Sequence, residues 1–283
     1  MVIAKKPIIL FLMLLSGTMG YSHKEMATAP VTTANPSSPI LFQVDFETGL
    51  LPSFLQKQIS APYALQIVND PVYQGKKAAR FELRAHDREN NHGKRAEILF
   101  PAPANDAGLE RWYAFAVYFP EQGFEFDNSD EVICQWHQGG KATPSLCIRT
   151  KAGRIRLRVK STIDSKEWID LGAIEQNSWQ YYILHIKHSS GPDGQVEIWR
   201  NGVQLANHSG ANMYDCSSGI FHRPNWKLGI YKSAWNNASV ATAGKRILYL
   251  DAIKIGDARA SYADMTEPAN TNSSQANASS ARK

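Results

Sequence analysis

The stretch Val196-Glu-Ile-Trp-Arg-Asn-Gly-Val-Gln-Leu205 decides the fold. Val196 and Ile198 alternate with polar neighbours, Trp199 follows, and Val203 and Leu205 resume the pattern beyond Asn201-Gly202. An Asn-Gly pair accepts the positive φ angles of a two-residue hairpin turn, so the flanking segments read as paired strands. The same period of two continues outward. Ile40, Phe42, Val44 and Phe46 alternate toward the N-terminus. Ile155, Leu157 and Val159 oppose Arg154, Arg156, Arg158 and Lys160, and Ile247, Tyr249, Ile253 and Ile255 mark a last long strand. No run of about twelve residues or more shows helical spacing of apolar side chains with caps. Many short strands between Gly, Pro, Asn and Asp turns predict an all-β jelly-roll sandwich. Two packed sheets leave one outer face free to curve into a concave groove suited to a polymer. The fold alone names no function.

Lys5 and Lys6 precede an uncharged apolar run from Pro7 to Leu15, and Ser16, Gly17 and Gly20 supply small residues where cleavage fits. This is the pattern of a signal peptide over residues 1–22. Its apolar run is shorter than the roughly 20 residues of a membrane-spanning helix, although an uncleaved anchor is the alternative. Residues 23–38, rich in Ala, Thr, Pro and Ser, read as a flexible leader, 39–262 as one domain and 263–283 as a disordered polar tail. The mature chain is expected to be secreted or periplasmic, monomeric and without a membrane span.

The sequence holds 31 Lys and Arg against 26 Asp and Glu, and loss of Lys5 and Lys6 leaves a formal charge of +3. That small excess permits capture of an acidic polymer without naming it, and no nucleic-acid partner is expected. Cys134, Cys147 and Cys216 match no zinc spacing, so no metal centre is expected. A disulfide between Cys134 and Cys147 across a hairpin is one arrangement open to an exported chain. Three buried thiols serving as small hydrophobes is the favoured one.

Three segments carry chemistry. In Asn91-His-Gly-Lys-Arg-Ala-Glu-Ile98, strand alternation puts Arg95 and Glu97 on one face, where the carboxylate can steady the guanidinium for a ligand carboxylate. In Val132-Ile-Cys-Gln-Trp-His-Gln138, Gln135 and His137 project together and Cys134 and Trp136 oppositely. In Asn225-Trp-Lys-Leu-Gly-Ile-Tyr-Lys232, Lys227, Gly229 and Tyr231 share one face, and Gly229 is expected to let a ligand approach the backbone. Lys227 and Tyr231 should stand about 13 Å apart at ~3.3 Å per residue, which suits contacts to neighbouring sugar units.

Together these segments resemble the signature of jelly-roll alginate lyases: Arg95-Ala-Glu-Ile, Gln135-Trp-His and Asn225-Trp-Lys-Leu-Gly-Ile-Tyr stand in the same order. With Glu110-Arg-Trp-Tyr and Glu197-Ile-Trp-Arg-Asn-Gly, the text is more similar to the family of glucuronan lyases and heparin lyase I. The resemblance runs from about Phe42 to Ile255 and implies β-elimination beside a uronic acid of an acidic polysaccharide. It implies that Gln135 and Arg95 neutralise the substrate carboxylate, that Tyr231 is the acid, and that Tyr231 or His137 is the base. Lys227, His92, Glu97, Lys232 and Trp235 are the expected substrate-binding residues, Trp235 as a sugar platform, with burial in the core as the equal alternative. Arg154, Arg156, Arg158, Lys160 and Lys187 are a candidate polyanion track, with a solvated charged face as the alternative.

Ala96, Trp136 and Trp226 depart from the alginate signature, which shifts the expected substrate toward glucuronan. No cofactor is required; related lyases can hold structural calcium, though no Asp-rich loop of hand-type spacing occurs. The rival readings are a glycoside hydrolase of the concanavalin-like group and a carbohydrate-binding module on the same fold. A hydrolase needs two carboxylates about 5–9 Å apart, and no Glu-x-Asp-x-x-Glu strand is present to supply them.

Overall fold

The computed structural model describes residues 38–100, 108–140, 142–237 and 243–267. The signal peptide, the leader up to residue 37 and the tail beyond Glu267 lie outside these residues. Along the chain run β1 (Ile40–Val44), β2 (Gln56–Gln58), β3 (Leu65–Val68), β4 (Ala78–Arg84), β5 (Arg95–Phe100), β6 (Glu110–Tyr118), β7 (Glu131–His137), β8 (Leu146–Lys151), β9 (Arg154–Val159), β10 (Glu167–Ala173), β11 (Trp179–Lys187), β12 (Gln195–Arg200), β13 (Val203–Ser209), β14 (Asn225–Tyr231) and β15 (Lys245–Gly256). One sheet has the order β13-β12-β11-β6-β15-β4-β3, with β1 also on β15, and the other has the order β10-β9-β8-β7-β14-β5-β2. Every strand pairing is antiparallel. This is the predicted jelly-roll sandwich.

The hairpin that led to the fold closes as expected. Asn201 and Gly202 have φ of 50° and 85°, the positive pair that the turn between β12 and β13 requires. Val196 and Ile198 enter the core between the sheets, whereas Trp199 turns to the outer face of its sheet and lies 6.0 Å from the Trp112 ring.

β15 is the last long strand, but its faces exchange partway. Leu248 and Leu250 point into the core, and after a register shift between Asp251 and Lys254 the inward residues are Ile253 and Ile255. Ala252, at φ 48°, takes up the extra residue of this bulge.

The domain ends later than residue 262. A short helix, α1 (Tyr262–Met265), is capped by Ser261 and buries Met265 against Trp112, Ala114 and Tyr181 on the outer face of the β6 sheet. Lys254 pairs with Glu267 at 3.0 Å beyond it. Residues 263–267 are therefore packed chain rather than tail: besides Met265 and the ion pair, Tyr181 donates to the Met265 carbonyl at 2.6 Å and Lys254 to the Thr266 carbonyl at 3.0 Å.

The cysteines are free thiols. Cys134 faces Ile148 and Gln135 faces Cys147 in the β7–β8 ladder, so the two sulfurs leave opposite faces of the sheet. Cys134 accepts a hydrogen bond from Trp226 Nε1 at 3.2 Å inside the core. No helix of the described residues is long and apolar enough to cross a membrane.

Candidate active site

Alternation positions the site. Ala96 and Ile98 of β5, Cys134 and Trp136 of β7, and Trp226, Leu228 and Ile230 of β14 all enter the core. Their neighbours Arg95, Gln135, His137, Lys227 and Tyr231 therefore emerge on the other face, where they line one cavity of about 470 Å³. The ladders bring them together: Tyr231 opposes Arg95, Lys227 opposes Gln135, and Asn225 opposes His137. Arg149 of β8 and Arg158 of β9 extend the lining, so the cavity runs across five adjacent strands.

Beneath this surface sits Glu97, 1% exposed. It accepts from Arg95 Nη1 at 3.0 Å and from the amide of Gln135. Gln58 Oε1 accepts from Lys227 Nζ at 3.0 Å and from Arg95 Nη1 at 3.4 Å. Arg95 also donates to the Asn91 carbonyl at 3.2 Å and lies 4.4 Å from the centre of the Tyr231 ring, leaving Nε buried without a partner among the described residues. Glu97 thus acts as the buried counter-charge that fixes two ligand-facing groups, and it does not line the cavity. Arg95, Arg149, Arg158 and Lys227 do line it, and no Asp or Glu among the described residues does. Arg149 is balanced by Asp130 at 2.6 Å and Arg95 by Glu97, so Arg158 and Lys227 supply the excess positive charge of an anion-attracting groove.

His137 is held in both directions. Its Nδ1 accepts from the Gly139 amide at 3.0 Å, and the ring also forms a backbone hydrogen bond with Ala142. Desolvation, then Lys227 and Arg95, lower its pKa to about 4, so it is neutral at ordinary pH. His188, against Trp136 on the inner side, is lowered to about 3 chiefly by desolvation. Both groups take up protons when the fold opens, so stability is full above about 6.5 and declines as pH falls toward 4. Asp251, raised to about 6 mainly by burial, acts in the opposite sense between 3.8 and 6. Thermal midpoints of His137→Gln are therefore expected to vary less steeply than those of the parent over this range. Identical slopes would show that His137 is not a source of the acid sensitivity.

Gly229 serves the neighbouring strand more than a ligand. At φ 132°, a Cβ there would fall on the Ala96 carbonyl oxygen and lie 2.8 Å from Glu97 Cα. Gly229→Ala is expected to lower the thermal midpoint by roughly 5–10 °C, the scale of a strained backbone plus a clash. Calorimetry of the purified variant measures this directly.

His92 stands exposed at the cavity rim, with Asn91 and His92 at φ of 49° and 61°. Gly93 behind them packs so closely that a Cβ would lie 2.5 Å from Tyr231 Cε2, so this loop fixes the tyrosine ring.

Three expected groove residues lie elsewhere. Lys232 follows Tyr231 and so points inward with Trp226, Leu228 and Ile230; it is 0% exposed and pairs with Glu131 and Asp127. Trp235 is a core residue under the Lys232 ammonium, 5.5 Å away, and offers no stacking surface. Lys187 belongs to β11 of the opposite sheet and pairs with Asp193 at 2.9 Å. Of the other basic residues, Arg158 lines the cavity and Arg154 is paired with Asp170. Gln58 and Arg149 were not expected. Arg149 had a signal, since Cys147 and Arg149 alternate with Leu146 and Ile148, whereas Gln56–Gln58 carries no apolar pattern. Structural calcium, the one ion that the resemblance implies, finds no group of three or more His, Cys, Asp or Glu arranged to hold it among the described residues.

These features define a jelly-roll protein with a cationic groove crossing one sheet. The sequence model of the polysaccharide lyase family matches residues 46–254, and the chain belongs to that family. No curated protein sequence matches it. Among solved structures, endo-β-1,4-glucuronan lyase from the fungus Trichoderma reesei is similar over 79% of this chain and 97% of its own, with 18% identity and a TM-score of 0.64. An alginate lyase, A1-II', is similar over 73% of this chain and 95% of its own, with 13% identity and a TM-score of 0.52. The binding domain of Paraclostridial Mosquitocidal Protein 1 also shares the fold, at 12% identity and a TM-score of 0.52 over 80% of this chain and 50% of its own. Likenesses at this level establish the fold, and the chemistry has to come from the site.

Proposed function

We propose that this chain cleaves an acidic polysaccharide by β-elimination beside a uronic acid, with glucuronan the foremost substrate and alginate or heparin-type glycans after it. The observation that carries this reading is the groove itself: four cations, the Gln135 amide and Tyr231 line one cavity, with no carboxylate in the lining among the described residues. Eliminating across C4–C5 removes a proton whose loss places charge on the C6 carboxylate, so the catalyst has to neutralise that carboxylate first. Arg95 and Gln135, fixed by Glu97, take this role.

Tyr231 carries the proton. None of the described residues hydrogen-bonds its hydroxyl, and the Arg95 guanidinium lies 4.4 Å from the centre of its ring, which lines the cavity. The Tyr231 oxygen takes the C5 proton, the C4–C5 double bond forms as the C4–O4 bond breaks, and the same oxygen delivers a proton to the departing O4. His137 would need to release a backbone partner to act as base, so its part is to hold the substrate as a neutral group. Lys227 and His92 bind the flanking sugar units.

The departures from the alginate signature bear on this choice indirectly. Trp136 and Trp226 stack at 6.4 Å in the core, and Ala96 also points inward, so all three alter the packing below the groove. The export pattern of residues 1–22 supports action outside the cytoplasm.

Incubating the purified chain with glucuronan, alginate, heparin and hyaluronan while following ultraviolet absorbance of the unsaturated uronate tests the reading. Absorbance rising fastest with glucuronan is expected. New reducing ends without that absorbance mean hydrolysis, and binding with neither product means a carbohydrate-binding module; either result sinks the proposal.

A further inference from the structure

We infer that Trp168, with Arg156 and Arg158, forms a distal sugar-binding subsite at the β10 edge of the groove, and this rests on the reading of the groove as a polysaccharide channel. β10 is the edge strand of the sheet that carries the cavity. Its register sets Trp168 opposite Arg158, Arg158 opposite Cys147, and Cys147 opposite Gln135. Directly paired residues share a face, so one transverse row leads from the proposed centre to Trp168. Its neighbour Ile169 packs against the core, which confirms that the indole faces the groove side.

This tryptophan is 42% exposed, although a β-sandwich has ample room to bury an indole. The Arg156 guanidinium lies 5.7 Å from its ring, and Arg158 donates to the Pro144 carbonyl at 2.8 Å while lining the cavity. An exposed aromatic face beside two guanidinium groups matches a uronic acid unit: the apolar face of the pyranose stacks on the indole, and the carboxylate meets the arginines. Gln135 and Trp168 are three strands apart, roughly 14 Å at ~4.8 Å per strand. A polymer laid across the strands advances roughly one ring per strand, so Trp168 meets a unit about three removed from the one held by Gln135.

The subsite predicts a dependence on chain length. For Trp168→Ala, KM on the polymer should rise about tenfold, the scale of one lost aromatic contact, with kcat unchanged. Uronate trisaccharides, too short to span the row, should be cleaved as by the parent, and Trp168→Phe should restore most of the polymer KM. Equal losses on trisaccharide and polymer, or no change on either, would overturn the subsite. Affinity electrophoresis of parent and variant in glucuronan-containing gels, with alginate in parallel, separates the two ideas. If the parent yields no unsaturated product yet Trp168→Ala still weakens retention, the lyase reading fails and the subsite stands; equal retention overturns the subsite.

Discussion

Tyr231→Phe is expected to lower kcat for elimination by about 10³–10⁴-fold while leaving polymer binding and folding nearly unchanged. The hydroxyl is the only atom removed. The ring keeps its contact with Gly93 and its place under the Arg95 guanidinium, so the groove retains its shape. What disappears is the group proposed both to receive the C5 proton and to protonate O4, and one positioned acid–base group contributes about 10²–10⁴-fold. Loss of both functions at one atom puts the effect at the upper end of that range. Single-turnover measurements with glucuronan separate this loss from any change in affinity. His137→Gln provides the contrast: its imidazole is neutral and engaged with backbone at Gly139, so a loss nearer tenfold is expected. If Tyr231→Phe turns over normally, or if His137→Gln falls as far as Tyr231→Phe does, the proton carrier has been misassigned.

The largest effect on stability is expected from Glu131→Ala. Glu131, on the inner face of β7, is 1% exposed and joins the two sheets. It accepts from Arg246 Nε of β15 at 2.8 Å, from Lys232 Nζ at 3.0 Å and from Thr150 Oγ1 at 2.8 Å. Asp127 lies 3.4 Å from the same ammonium and is itself held by Ser129. Two buried cations are thus balanced by two buried anions, and removal of Glu131 leaves one cation uncompensated. Breaking a buried pair in this way costs about 3–5 kcal/mol, or roughly 10 °C in thermal midpoint for a domain of this size. Because the network lies on the core side of the sheet, kcat measured well below the transition should stay within about twofold of the parent. A variant that melts normally would show that the network is not a source of stability, and one that folds normally but loses affinity for the polymer would place Lys232 at the substrate.

The two expectations differ in how far the chain itself disclosed them. Lys232 illustrates a rule available from the start: if Tyr231 faces the groove, strand alternation sends Lys232 inward with Ile230. Its partner Arg246 comes from the other sheet, about 115 residues from Glu131 along the chain, and no local pattern joins them. Trp235 was ambiguous for a different reason, since an indole just past a strand end suits a sugar platform and a core equally well. Gly229 was correctly singled out, but what it makes room for is the β5 backbone, a neighbour that only strand pairing supplies.

The sequence by itself determined the sandwich, the turn at Asn201-Gly202, and the face on which Arg95, Gln135, His137, Lys227 and Tyr231 stand. Those properties follow from a period of two and from turn chemistry, both of which act over a few residues. Tertiary structure alone decided that Gln58 bridges Arg95 and Lys227, that Glu97 lies below the lining, and that Gly139 and Ala142 restrain the imidazole of His137. It also drew the row from Gln135 to Trp168 across four strands. Strand order and register are settled by which hydrophobic faces close one core, a condition on the whole chain that no single segment contains.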